Sequence, residues 1–394
     1  MPRRATLPGR TLRHAATAAA VLVSVAACGS DANTPTSAST GQASGPAVVR
    51  ASDAASSPAS ARASGSPIAC NGSGEVLGAG STAQANAIDI WKTTFSAACQ
   101  GITINYGGGG SGAGIQQFTV GKVAFAGSDT ALKPAEVDAT KQVCTGGQGI
   151  DLPMVAGLVS IVFNAEGVDK LVLDGPTIAK IFNSEITQWN DPAIVALNPG
   201  VTLPTAGIEA IHRSDDSGTT ANLTSYLAAT SGGAWPYPPS KTWAGKGGES
   251  ANGSAGVAAQ VKQNKNSIGY VELSYAQTNG LKSAAVATGA SQPVDATAAN
   301  AATTFAGAQV AGTGDDLALT LDYATRQEGA YPIVLVTYEI VCDKGNKAAT
   351  LPALKSFLTY TASDAAQQAI GAKGYVPLPA EITGKVGAVV SQLS

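Results

Sequence analysis

The chain has 394 residues, 13% of them charged, with a formal charge of −3 and only two histidines. That balance argues against a nucleic-acid partner, for which a basic face is expected. The scarcity of histidine excludes a histidine-cluster metal centre. No G-x-S-x-G elbow or G-x-x-x-x-G-K-[ST] loop occurs either, so the usual marks of a serine hydrolase or a nucleotide site are missing.

From the N-terminus, Arg3, Arg4, Arg10 and Arg13 precede Ala15 to Ala27, an apolar run of small residues too short to span a bilayer. This is the pattern of a secretory signal. It ends Val25-Ala26-Ala27-Cys28, which is similar to a bacterial lipobox and implies cleavage before Cys28 and lipidation of its thiol. An ordinary signal cut nearby is the alternative. The four arginines leave with residues 1–27 and no acid does, which takes the formal charge from −3 to −7. Gly29 to about Pro67 is Ser, Ala, Thr, Gly and Pro without apolar period, so residues 28–67 are expected to be a flexible tether. At roughly 5–6 Å × √n, about 38 residues reach roughly 35 Å. No later segment is long and apolar enough to cross a membrane, so the anchor would be lipid only.

The remaining length predicts two domains, and alternating strand and helix signals predict an α/β class with mainly parallel sheets. Glu75–Leu77 reads as a strand entering the turn Gly78–Gly80. Thr82–Ala98 follows as a helix, with Ile88, Trp91, Phe95 and Ala98 on one face. Ile102–Tyr106 is a second strand, then come Gly107–Gly110, a helix from about Ala113 to Val120, and a third strand, Val123–Phe125. Each glycine or serine segment sits just after a strand, at the edge where open α/β sheets bind ligands. Val155–Phe163 and Ile333–Val341 are the two long β-branched runs. Trp235–Gly256, rich in Gly, Pro and Ser, reads as a surface excursion. Four cysteines besides Cys28 allow three disulfide connectivities, with free thiols as the alternative. Cys70 and Cys99 flank the first strand and helix. Cys144 precedes the strand Leu152–Phe163, and Cys342 ends the strand Ile333–Val341. Cys70–Cys99 and Cys144–Cys342 are the expected pairs, the second only if those two strands are neighbours.

The chemistry concentrates in Ile211–Thr220, IHRSDDSGTT. Arg213 precedes Ser217-Gly218-Thr219, where a helix begins. A helix start offers unpaired N–H groups and partial positive charge. The hydroxyls add donors, Gly218 lets the backbone approach, and Arg213 supplies a bidentate cation, which together suit a tetrahedral oxyanion. Asp215 is placed to orient Arg213, an inconsequential surface pair being the alternative. His212, beside Arg213 on a strand, faces the other way. Gly78-Ala79-Gly80-Ser81-Thr82 and Tyr106–Gly114 repeat the pattern. Thr82 and Ala83 would offer free N–H groups at a helix start, Thr82 being otherwise a plain cap. Ser111 follows four glycines that can form an anion nest or a flexible loop. Asp129 has the wrong charge for an anion unless it accepts a proton from the ligand. It is otherwise a cap ahead of a helix over Ala131–Ala139.

GAGSTAQA, NYGGGGSGAG, GSD at Gly127–Asp129 and HRSDDSGTT, with LDGPTIAKIFNSEITQWNDPAI and YPIVLVTYEIV, resemble the phosphate-binding lipoproteins that feed bacterial phosphate ABC transporters. The resemblance runs from about Val76 to the C-terminus. It implies the type-II periplasmic binding fold: two α/β domains joined by two hinge strands, with ligand in the cleft. Domain I would be residues 68–157 and 333–394, domain II residues 158–332. Implied ligand residues are Thr82, Ala83, Ser111, Asp129, Arg213, Ser217, Gly218 and Thr219, supported by Asp215, Gly80 and Gly110. The family has a bulky aromatic after the Thr, so Ala83 departs in apolar packing but keeps its N–H. The implied partners are inorganic phosphate and the transmembrane subunits of an ABC permease. The implied protein is a monomer outside the cytoplasmic membrane, with no cofactor, no metal and no catalytic residue. A receptor for sulfate or molybdate, an exported phosphatase on this scaffold, and a surface interaction protein with a vestigial pocket are the rivals. Replacing Cys28 with Ser is expected to shift the protein from the membrane to the soluble fraction or leave it unprocessed. Identical partitioning of wild type and Cys28→Ser would remove the lipid anchor.

Overall fold

A computed structural model describes residues 68–394 of the chain. The signal-like segment, Cys28 and the tether lie outside the described residues. The chain alternates strand and helix through β1 (Gly74–Gly80), α1 (Ala85–Ala98), β2 (Ile102–Gly107), α2 (Ser111–Thr119), β3 (Phe125–Ser128), α3 (Pro134–Thr140) and β4 (Gly149–Phe163). α1 buries Ile88, Trp91 and Phe95 of the apolar stripe that its periodicity predicts, and Ala87 beside them, whereas Ala98 at its last position is exposed. It starts at Ala85 rather than Thr82, after a turn over residues 83–84. α2 starts earlier than its apolar period suggests, at Ser111, because Gly110 has φ 92° and forms its N-terminal boundary.

A nine-stranded sheet runs in the order β2, β1, β3, Val334–Cys342, β4, Ser267–Glu272, Glu209–Arg213 and Glu249–Ala251, with Lys282–Ser283 paired to β4 at the side. Its two flanks are parallel, as the alternation of elements predicts. Its centre is not. Val334–Cys342 runs antiparallel to β3 and β4, and β4 runs antiparallel to Ser267–Glu272. β4 carries the chain from one half of the sheet into the other, and Val334–Cys342 carries it back. Two such crossings laid side by side must run in opposite directions.

All 15 residues of β4 are buried. Gly149–Leu158 lie within its pairing with Val334–Cys342, and Val159–Phe163 pair with Ser267–Glu272. A strand covered on both faces has no polar face to show, which explains its nearly continuous apolar run. One core gathers Trp91, Phe95, Phe125 and Phe357. A larger one gathers Phe163, Phe182, Trp189, Tyr226 and Tyr270. Cys70–Cys99 and Cys144–Cys342 are both bonded, across separations of 29 and 198 residues. In the chain-entropy account, loops of this size contribute about 3–5 kcal/mol each.

Trp235–Gly256 is a surface excursion only in part: residues 236–250 are mostly exposed, but its two ends are built into the fold. Trp235 is buried, with its ring centroid 5.3 Å from that of Trp243. Glu249–Ala251 adds a parallel strand beside Glu209–Arg213. An 11-residue helix, Gly253–Gln263, follows it. The Gly and Pro content marks the exposed turns between these pieces.

α2 packs directly on the backbone of β1. A Cβ at Gly114 would lie 2.5 Å from Gly80 Cα and 2.6 Å from Ala79 O. Alanine is favoured over glycine in a helix by about 1 kcal/mol, but here overpacking against backbone dominates. Gly114→Ala is expected to destabilise the protein by about 1–3 kcal/mol in urea unfolding. Unchanged or increased stability would show that α2 does not approach β1 this closely.

Candidate functional site

Parallel register brings the strand ends to one edge. Gly80 pairs with Gly127 and Ala79 with Gly107, so the segments bearing Thr82, Ser111 and Asp129 leave β1, β2 and β3 together. In the other half Arg213 pairs with Ala251 at the ends of adjacent strands. Helices then begin at Gly218 and Gly253. The first starts two residues before Thr220, with Ser217 as its cap: Thr220 N–H donates to Ser217 Oγ at 3.2 Å.

Arg213 is the centre of the arrangement. Its side chain is 1% exposed, so it is no surface pair. Nε and Nη2 donate to the two Asp215 oxygens at 2.7 and 2.5 Å. Nη1 faces the hydroxyls of Thr219 and Ser254, each at 3.4 Å. Burial pushes the Asp215 carboxyl up, but the Arg213 hydrogen bond and charge outweigh it and hold the group below its ordinary range. The charge of the guanidinium is therefore matched within the site. His212 turns away, stacking on Trp243 with centroids 4.8 Å apart.

Ser111 joins the two halves. Its Oγ accepts N–H bonds from Asp129 and from Gly218, both at 3.1 Å. Both lone pairs are thereby used, so its proton is free to donate. Gly110 N–H donates to Gly80 O at 3.0 Å, and Gly112 N–H donates to Asp216 O at 3.0 Å. A side chain at Gly110 would collide with Asp215, which is why this loop needs glycine there. A further crossing is the ion pair Lys241–Glu136 at 2.6 Å.

Asp129 is not a helix cap, since α3 begins five residues on with Lys133 as its boundary. Its carboxylate is buried. Oδ1 accepts from Thr337 Oγ1 at 2.7 Å, and Oδ2 has Thr219 Oγ1 at 3.4 Å. Burial raises its pKa, while bonds from Ser81, Thr337 and Thr219 and the charge of Arg213 act the other way. Thr337 lies on the returning strand, some 200 residues away in sequence, and no local signal marks it.

Three expected donors are otherwise engaged. Ala83 N–H donates to Ser81 Oγ at 3.0 Å, Ser217 N–H to Lys241 O at 2.9 Å, and Gly218 N–H to Ser111 Oγ. Thr82 Oγ1 instead meets Ser254 Oγ at 3.1 Å. Ser254 was hidden in the Gly-rich stretch read as an excursion. The signal that marks it is Asn252-Gly253-Ser254, another strand end followed by a small-residue helix start. Among the described residues, no group of three or more His, Cys, Asp and Glu is placed to hold a metal ion. No described helix is long and apolar enough to cross a membrane.

The crossed, two-part α/β sheet with its buried edge cluster is the architecture of a substrate-binding protein. The chain matches the family model described as a PBP superfamily domain over residues 40–365. It is 41% identical over 381 residues to phosphate-binding protein PstS 3 of Mycobacterium tuberculosis, covering 96% of each chain. It is 35% identical over 320 residues to phosphate-binding protein PstS of Xylella fastidiosa, covering 80% of this chain and 84% of that one. In fold it is similar to a high-affinity periplasmic phosphate-binding protein (PfluDING) bound with phosphate. The TM-score is 0.67 at 22% identity, over 80% of this chain and 93% of that one. The phosphate-binding protein from Stenotrophomonas maltophilia gives 0.64, also at 22% identity and with the same coverages. The chain belongs to the PstS-type phosphate-binding protein family.

Two buried acids stand behind the edge. Burial lifts Glu272 from 4.5 to about 8, although Ser274 donates N–H and O–H to its Oε2 and Tyr375 acts in the same sense, while the charge of Asp129 adds to the rise. Glu339 is lifted to about 8 by burial, with Gln84 opposing and Asp129 adding. Below about pH 4.5 both are protonated, folded or unfolded. Between 4.5 and 8 the unfolded chain releases protons that the fold retains, so this contribution to stability is lost as pH rises across that window. The unfolding free energy of ligand-free protein is expected to fall with pH there, and less steeply in Glu272→Gln. An identical slope in the mutant would mean that Glu272 is not held protonated.

Proposed function

We propose that this protein binds inorganic phosphate outside the cytoplasmic membrane and delivers it to the transmembrane subunits of an ABC permease. It does so as a monomer anchored by lipid at Cys28, without a cofactor and without catalysis. The observation that carries this reading is the buried Arg213, already matched by Asp215, with Nη1 turned toward hydroxyls beside a buried carboxylate. Such a site attracts through N–H and O–H dipoles rather than net positive charge, and so suits a small, fully desolvated anion. Thr82, Ser111, Arg213, Ser217 and Thr219 are its donors. Ala83 and Gly218 belong to it as backbone neighbours whose N–H groups are spent on Ser81 and Ser111. The kinship with phosphate-binding relatives points the same way.

Residues 68–157 with 333–394 would form domain I, and residues 158–332 domain II. The pairing of β4 supports this division, since Leu158 faces Val334 while Val159 faces Glu272. β4 and Val334–Cys342 would be the hinge, and closure would bring donors of both domains around the ion.

Asp129 decides which oxyanion. Phosphate near neutral pH carries a proton and sulfate does not. A phosphate O–H donating to Oδ2 gains a charge-assisted bond, whereas a sulfate oxygen meets a carboxylate with no proton between them. Oδ1 takes the short bond from Thr337 and Oδ2 only the longer one from Thr219, which makes Oδ2 the oxygen for this task. Sites that pair one specific polar group reject analogues lacking it by about 10⁴–10⁵. Calorimetry at neutral pH is expected to give tight phosphate binding and no sulfate binding in the wild type. In Asp129→Asn the amide oxygen stays opposite Thr337 and its nitrogen becomes a donor, so sulfate is admitted. Tight sulfate binding by the wild type would overturn phosphate specificity. Unchanged selectivity in Asp129→Asn would remove Asp129 from the site.

A further inference from the structure

Ser254 is fully buried, at the second position of the helix Gly253–Gln263. It touches the two groups that matter most at this edge. Arg213 Nη1 lies 3.4 Å from its Oγ, and Thr82 Oγ1 lies 3.1 Å from it. Its backbone N–H donates to Thr82 Oγ1 at 3.1 Å. With Asp215 holding Nε and Nη2, Nη1 is the part of the guanidinium left for a ligand, and Ser254 and Thr219 flank it.

The direction of each proton follows. A hydroxyl oxygen that receives a bond from a cation turns its own O–H away from that cation. Ser254 therefore donates either to Thr82 Oγ1, 3.1 Å away, or to a ligand held by Nη1. Thr82 Oγ1 receives the Ser254 amide proton, so its own O–H is turned away from that amide. Thr82 follows β1 and Ser254 follows Glu249–Ala251, so this contact is made only when the two halves of the sheet meet. Gly253, with φ 67°, lies beside Thr82 and donates its N–H to Asp215 Oδ1 at 3.1 Å, which holds the helix start in place.

We propose that Ser254 is a ligand residue of the phosphate site. Its hydroxyl donates to a phosphate oxygen, and its amide sets the Thr82 hydroxyl as a second donor from the opposite half. This rests on the phosphate reading and adds a segment to it. Because the contact spans the halves, it acts on retention of the ion more than on its capture.

The test is stopped-flow and calorimetric titration of the purified protein with inorganic phosphate. Ser254→Ala keeps the backbone N–H and removes the hydroxyl. A hydrogen bond to a charged group corresponds to roughly 10- to 100-fold in affinity, and the loss is expected mostly as faster dissociation. The unfolding midpoint without phosphate should stay close to wild type. Thr82→Val provides a second route if Ser254→Ala folds poorly: it should weaken binding comparably, and the double mutant should lose less than the product of the two. A wild type that retains phosphate beside a Ser254→Ala within twofold of it, at the same dissociation rate, would overturn the proposal. So would a Thr82→Val that binds as wild type. A wild type that binds no phosphate would instead sink the phosphate reading itself.

Discussion

A buried guanidinium must have its charge matched at close range, because removing an ion from water costs several kcal/mol after relaxation. Arg213 is matched by Asp215, and much of the surrounding chain is arranged to permit it. Asp215 also receives the Gly253 N–H, which places the start of that helix. It occupies the space that a side chain at Gly110 would need, which draws the glycine loop in from the other half. One ion pair thus sets the positions of a strand end, a helix start and a loop from across the sheet.

Matching the charge has a consequence for recognition. With Arg213 balanced by Asp215, the site has no excess of positive charge, and the chain as a whole is acidic. Affinity for an anion then depends on oriented dipoles, which are strong only where water is excluded. Neutral acids nearby are part of the same design. Glu272 and Glu339 lie within the field of Asp129, and burial keeps them protonated at neutral pH. Ionised, they would oppose any anion at the edge.

Close approach of backbones is the other requirement. Gly80 and Gly127 face each other across β1 and β3, and Gly114 lies on both Ala79 and Gly80. These contacts bring the ends of β1, β2 and β3 to one edge of the sheet. Ser111 Oγ can then accept from Asp129 and Gly218 at once.

Read alone, the sequence determined what depends on neighbours a few residues apart. The amphipathic stripe of α1, the glycine turns at the ends of β1 and β2, the helix start after Arg213 and the cysteine pairs were all legible, since each rests on local geometry or on simple adjacency of elements. The periplasmic binding fold and the grouping of Ser111, Asp129, Arg213, Asp215 and Thr219 were implied by the resemblance of those motifs to the phosphate-binding family. Tertiary structure alone decided the rest. It set the antiparallel centre of the sheet, the capture of the Ala83 and Ser217 N–H groups, the seating of Asp129 on Thr337, and the entry of Ser254 from a stretch that looked like loop. Each of these joins residues that meet only after strands from distant parts of the chain have paired, and no periodicity or cap within either segment records its partner.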